Sequence, residues 1–150
     1  MRADRILVPI DFSPFSQKAL DRAVAMAKGT ESKLTLLYIH PPRDPFPAEV
    51  SIAFPVVDLK KEMEALTEAL QHWADRTGLP AEQMVIEVSS GEPSYEVVER
   101  SAEFDLIVLS THGRTGLRRF FLGSVAEQIV RGAKCSVLVV KDGAGPSSET

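Results

Sequence analysis

Ile6-Leu7-Val8-Pro9-Ile10 runs straight into Asp11-Phe12-Ser13-Pro14. The five apolar residues are continuous rather than alternating, as in a strand buried on both faces of a parallel sheet. Pro9 has no N–H for a ladder and marks the strand's end. A cap residue followed by a helix-compatible proline then predicts a helix from about Ser13 to Lys28. Its inner face holds Ala19, Leu20, Ala23, Val24 and Ala27, and Gly29 ends it. A buried strand feeding directly into an amphipathic helix is the unit of an α/β protein.

The same unit recurs outward from there. Leu34 to Ile39 is a second strand. Pro41, Pro42, Pro45 and Pro47 then exclude helix and central strand, so a loop is expected to continue to about Val56, with Phe46, Ile52 and Phe54 either anchoring it or packing over a site or against a partner. Asp58 to Thr77 reads as a helix with Leu59, Met63, Leu66, Leu70 and Trp73 in one stripe about 30 Å long. Met84 to Val88 is a third strand, Ser94 to Ala102 a short helix, and Leu106 to Leu109 a fourth strand. A last helix opens at Gly123-Ser124 with Val125, Ile129 and Val130 expected inward, and Val137 to Val140 is the fifth strand. Alternating strands and helices imply a doubly wound parallel sheet with right-handed crossovers and helices on both faces. Such a sheet reverses its strand order once, and ligands bind beyond the strands' carboxyl ends at that reversal. The chemically loaded strand ends are the first, with Pro9 and Asp11, and the fourth, from Ser110 to Gly116.

The chain's 150 residues suit one domain, here residues 1–142 with a Gly/Pro/Ser tail at 143–150. No apolar run approaches the roughly 18 residues that span a bilayer, and the N-terminus does not read as a secretory signal. The single cysteine, Cys135, fits a reducing cytoplasm and precedes a buried strand, so a packed thiol is expected. A net charge of −4 argues against a nucleic-acid binder. The charge is uneven. Between Thr111 and Lys134, five cations (Arg114, Arg118, Arg119, Arg131, Lys134) face the single anion Glu127. A local basic segment in an acidic chain is either a solvated helix face or an anion site.

The residues themselves favour neither alternative alone. Gly113 and Gly116 permit close approach to a ligand, and Gly123-Ser124 opens a helix whose free N–H groups on Ser124, Val125 and Ala126 attract an anion. Equally, the glycines serve a turn and Ser124 caps a helix. A Walker A loop is excluded because no Gly-Lys-Ser/Thr follows, and the dinucleotide fingerprint is absent after the first strand.

Ser110-Thr-His-Gly113, nine residues, then Gly123-Ser124 resembles the nucleotide-binding motif of the universal stress protein family, Gly-x2-Gly-x9-Gly-Ser/Thr. The opening Ile-Leu-Val-Pro-Ile-Asp and the closing Cys135-Ser-Val-Leu-Val-Val140 resemble family signatures too. The resemblance implies a Rossmann-like sheet of order 3-2-1-4-5, as in the adenine nucleotide alpha-hydrolases, and a site for ATP, ADP or AMP with any Mg2+ held through the phosphates. It sets Pro9 and Asp11 beside the adenosine, Ile39 at the adenine, and Ser110, His112, Gly113 and Arg114 in the phosphate loop. Gly123, Ser124, Val125 and Ala126 match the helix start that holds the phosphates. Two departures stand out. Ser110 replaces the first motif glycine, and Ala126 replaces a hydroxyl residue found in some ATP binders, which favours AMP or ADP over ATP.

No catalytic triad or metal-ligand spacing links His40, His72, His112 and Cys135. The expectation is a stress-response or signalling protein that binds adenine nucleotide, hydrolyses ATP slowly at most, and passes its nucleotide state to a protein partner. An interaction module without nucleotide and a slow ATP hydrolase or phosphotransferase are the alternatives. The resemblance also implies a homodimer through Val137–Val140, which otherwise forms an unpaired apolar edge.

Overall fold

Strand and helix alternate along the chain as the apolar runs predict. In the computed structural model, which describes residues 2–42, 58–112 and 122–141, β1 is Arg5–Pro9, α1 Pro14–Ala27 and β2 Lys33–His40. Then follow α2 at Leu59–Asp75, β3 at Met84–Ser90 and α3 at Pro93–Arg100. The series closes with β4 at Leu106–Ser110, α4 at Ser124–Gly132 and β5 at Ser136–Val140. The expected loop with Phe46, Ile52 and Phe54, the glycines and arginines between 113 and 119, and the tail from Gly143 lie outside the described residues.

All strand pairs are parallel, in the order β3-β2-β1-β4-β5. The chain steps from β1 outward to β3, then returns to the other side of β1 for β4 and β5. Right-handed crossovers therefore put α1 and α2 on one face and α3 and α4 on the other. Strand alternation serves both faces. Ile6, Val8, Leu34, Leu36, Leu106 and Val108 pack with α1 and α2. Leu7, Leu37, Ile39, Ile107 and Leu109 pack with Val97, Ala126 and Ile129 of α3 and α4. That two-sided burial is why the strand sequences are continuous apolar runs.

Local signals set the helix ends. The Ser13 side chain accepts from Ser16 N and caps α1, and Asp58 caps α2 by accepting from Lys60 N and Lys61 N. The expected helix from Ser94 to Ala102 divides into α3 and a short 3-10 turn at Ser101–Glu103, where the Ser101 hydroxyl donates to Val98 O at 2.6 Å. Two expectations about buried faces are corrected. Ile129 is buried as expected, but Val125 and Val130 are each 42% exposed, and Ala126 is the other buried residue of α4. A helix needs only one narrow ridge to cover β4 and β5, and residues either side of that ridge face water. Along α2, Leu70 is fully buried while Leu59 is exposed, because this helix packs beside edge strand β3 and its neighbour β2 rather than over the sheet's centre. Cys135 is half-buried, and burial, aided by nearby Asp105, pushes its thiol pKa up and keeps it protonated at neutral pH.

The register at the reversal is fixed from the edge opposite the cleft described below. Asp105, just before β4, accepts from Arg5 N at 2.8 Å and Asp4 N at 3.1 Å, while its own N–H donates to Arg5 O at 2.9 Å. Those backbone donors, chiefly Arg5 N, hold its carboxyl below the usual carboxylate range. A depressed folded-state pKa contributes stability above the unfolded value, and the contribution is lost as pH falls through the folded value. Asp105→Asn, which mimics the protonated acid, is expected to be less stable than wild type in urea unfolding at pH 7. The gap is expected to close as the pH falls below the carboxylate range.

Candidate functional site

The strand-order reversal leaves a gap between the carboxyl ends of β1 and β4. A cleft of about 380 Å³ opens there, within the range of small-ligand sites. Three groups of side chains and backbone build it.

The first is the end of β1. Ile10 N still donates to Leu37 O at 2.8 Å, so the strand direction holds to the cleft's edge. Pro9, Ile10 and Asp11 line the wall. Asp11 then accepts from Ser13 N at 2.9 Å, which turns the chain into α1. Between them Phe12 has φ 61°, a left-handed conformation unusual for a bulky residue. Its ring lies against Tyr38 at 5.0 Å and edge-on to Trp73 at 5.4 Å between centroids. The packing of Phe12 under α2 thus holds the strained turn that aims Asp11 at the cleft.

The second is the end of β2 with the start of α3. Ile39 and Pro41 line the cleft, and Pro93 and Val97 of α3 close it from the side. His40, between Ile39 and Pro41 in sequence, is not a lining residue, and its ring is held by its neighbours. Its Nδ1 faces Pro41 O at 2.8 Å and its Nε2 faces Glu62 Oε1 at 2.9 Å. Both partners are acceptors when Glu62 is ionised, so making both bonds requires the doubly protonated imidazolium.

The third is the end of β4 and the start of α4. Ser110 lines the cleft, but its hydroxyl donates to His112 O at 2.6 Å. The serine at the first motif position thus closes a turn of its own loop. His112 lines the cleft too. It is 9% exposed, its Nδ1 stands 2.9 Å from Thr111 Oγ1, and its ring packs on Phe15 at 5.7 Å. Gly123 N donates to Thr111 O at 2.7 Å, pinning the start of α4 to the end of β4. A Cβ at Gly123 would stand 3.1 Å from Thr111 O, so glycine is needed for close approach and not for its φ of −58°. The first intrahelical bond runs from Glu127 N to Gly123 O. The N–H groups of Ser124, Val125 and Ala126 precede it and have no acceptor within the helix. All three residues line the cleft.

The structure thus brings together Pro9, Asp11, Ile39, Ser110, His112 and Gly123 through Ala126. Gly113 and Arg114 lie outside the described residues. Sequence reasoning missed Pro41, Pro93 and Val97. Pro93 is visible only as the start of a helix, and its place over the cleft depends on the crossover from β3 to β4. Among the described residues no cluster of three or more His, Cys, Asp or Glu could hold a metal ion. A larger groove of about 1160 Å³ runs along α2 beside Ile86 and Val88 of β3. It is an open helix flank, and its one first-turn lining residue, Lys60, has its N–H taken by the Asp58 cap.

The sequence model of the Universal stress protein family matches residues 2–141. The chain belongs to this family. A universal stress protein of Methanocaldococcus jannaschii is 35% identical over 141 residues, covering 91% of this chain and 81% of the relative. Among solved structures, the universal stress protein UspA from Lactobacillus plantarum superposes with a TM-score of 0.77 at 26% identity, over 94% of this chain and 99% of that one. A universal stress protein solved in complex with cAMP has a TM-score of 0.68 at 22% identity, over 95% of this chain and all of that one. An Arabidopsis thaliana family protein solved with AMP bound has a TM-score of 0.61 at 16% identity, over 96% of each chain. These two share the fold. Among the described residues no helix is long and apolar enough to cross a membrane.

In this universal stress protein, Gly123→Val is expected to force α4 away from Thr111. The cost should be about 1–3 kcal/mol, as for other overpacked sites. Thermal unfolding of the variant beside wild type would measure it.

Proposed function

We propose that this protein binds an adenine nucleotide in the cleft between β1 and β4 and acts as a nucleotide-dependent stress or signalling module. The observation that carries the reading is the first turn of α4. Ser124, Val125 and Ala126, whose backbone N–H groups have no acceptor within the helix, line a cleft whose wall also holds the apolar Ile39, Pro41 and Val97. A helix N-terminus suits phosphate, and an apolar wall suits a base. The cAMP and AMP complexes of the two family proteins support the same ligand class.

Asp11 is the one carboxylate among the described residues lining this cleft. Any Mg2+ would therefore be carried mainly on the phosphates. With Ser110 turned into its own loop and Ala126 offering no hydroxyl, ADP or AMP fits better than ATP. Turnover is expected to be slow at most, because the Asp11 carboxylate and the His112 ring already hold local turns. A cytoplasmic location accords with the single half-buried cysteine.

The test is the nucleotide content of the purified protein. One Trp and two Tyr absorb weakly at 280 nm, so bound adenine gives an excess at 260 nm. Heat release and chromatography are expected to yield near-stoichiometric AMP, ADP or ATP, and Asp11→Ala to lower the content. An empty protein with no thermal shift on adding ATP, ADP, AMP or cyclic AMP supports an interaction module instead.

We further propose a homodimer through β5. It is an edge strand, and Val137 to Val140 are only half-buried in the single chain. Sedimentation is expected to show a dimer, and Val139→Pro to give monomer or aggregate. An unchanged dimer in that variant would locate the interface elsewhere.

A further inference from the structure

The two helices that flank the cleft on one face end differently. Glu92 caps α3, its Oε1 accepting from Ser94 N at 3.4 Å and from the Ser94 hydroxyl at 3.0 Å. That carboxylate neutralises the positive end of α3. The start of α4 has no side-chain cap bond. An anion entering the cleft is therefore drawn to α4, and its grip depends on where α4 stands.

The Ser94 hydroxyl, on a residue 5% exposed, also meets the side-chain amide of Gln128 on α4. A serine hydroxyl has one proton. Its partner on Gln128 is the amide oxygen Oε1, so the one hydroxyl proton is shared between two acceptors, Glu92 Oε1 and Gln128 Oε1. Gln128 lies one turn beyond Ser124, on the same side of the helix. Pro93 and Ser124 both line the cleft, so the Glu92–Ser94–Gln128 chain ties its two flanking helices together one turn from its mouth. At the other end of the crossing the helices are also close. A Cβ on Gly132 would stand 3.0 Å from a Val98 methyl.

We propose that Gln128 is a positioning residue for the phosphate end of the cleft, holding the first turn of α4 in place through Ser94. The proposal rests on the nucleotide reading above. Gln128→Met keeps side-chain length and helix propensity but removes the amide oxygen that accepts from Ser94. Ser94→Ala removes the other half of the bond and leaves Glu92 capping Ser94 N.

Titration calorimetry with ADP and with adenosine separates the outcomes. Each variant is expected to bind ADP about tenfold more weakly, the size of one lost hydrogen bond, with adenosine affinity unchanged. The double variant should lose no more than either single one, because both act through the same contact. Unchanged ADP affinity, a parallel loss for adenosine, or additive losses would overturn the positioning role while leaving the nucleotide reading intact. A wild-type protein that binds neither ligand would remove both. Circular dichroism checks that each variant folds, and if Gln128→Met does not, Ser94→Ala carries the comparison.

Discussion

The hydrogen bond from Gly123 N to Thr111 O is the contact on which the cleft depends. It joins the end of the central strand β4 to the start of α4, across the strand-order reversal that the topology requires. Without a side chain at Gly123 the two backbones meet, and the following turn, Ser124 to Ala126, lines the cleft beside Pro9 and Asp11. Every other wall is held by packing on the sheet itself. Phe12 braces the β1 end against Tyr38 and Trp73, and Ser110 and His112 close the β4 turn by bonds within it.

Much of this was legible in the sequence. Continuous apolar runs such as Ile6–Ile10 and Leu106–Leu109 announced strands buried on both faces, and the alternation with helices announced the parallel sheet. The strand order 3-2-1-4-5 came from family resemblance, and the observed pairing agrees with it. The gathering of Asp11, Ile39, Ser110 and Ser124 followed from that order. What stayed hidden depends on tertiary packing. No local signal distinguishes Ala126 as the buried residue of α4 from the exposed Val125 and Val130, because hydrophobicity points the other way and burial is set by the ridge that meets the sheet. The positive φ of Phe12 was equally silent, since it is imposed by packing and not by residue preference.

The site also explains why family likeness and exact chemistry separate. Gly123, which lets α4 come against Thr111, is kept, and so is the fold of the family. Ser110 and Ala126 change the donors within that geometry. A serine that bonds its own loop stiffens the turn, and Ala126 carries no hydroxyl, which leaves the side chain of Ser124 and the backbone of the first turn of α4. Under the proposed reading, that arrangement suits a ligand with few phosphates.

The most direct test of the central claim is a backbone amide spectrum of the 15N-labelled protein titrated with ADP. The account predicts shifts at Asp11, Ile39, Thr111 and Gly123 to Ala126, where the strand ends and the first turn of α4 converge. Shifts confined instead to the groove of Met63, Trp73, Ile86 and Val88, or no shifts at millimolar ADP, would contradict it.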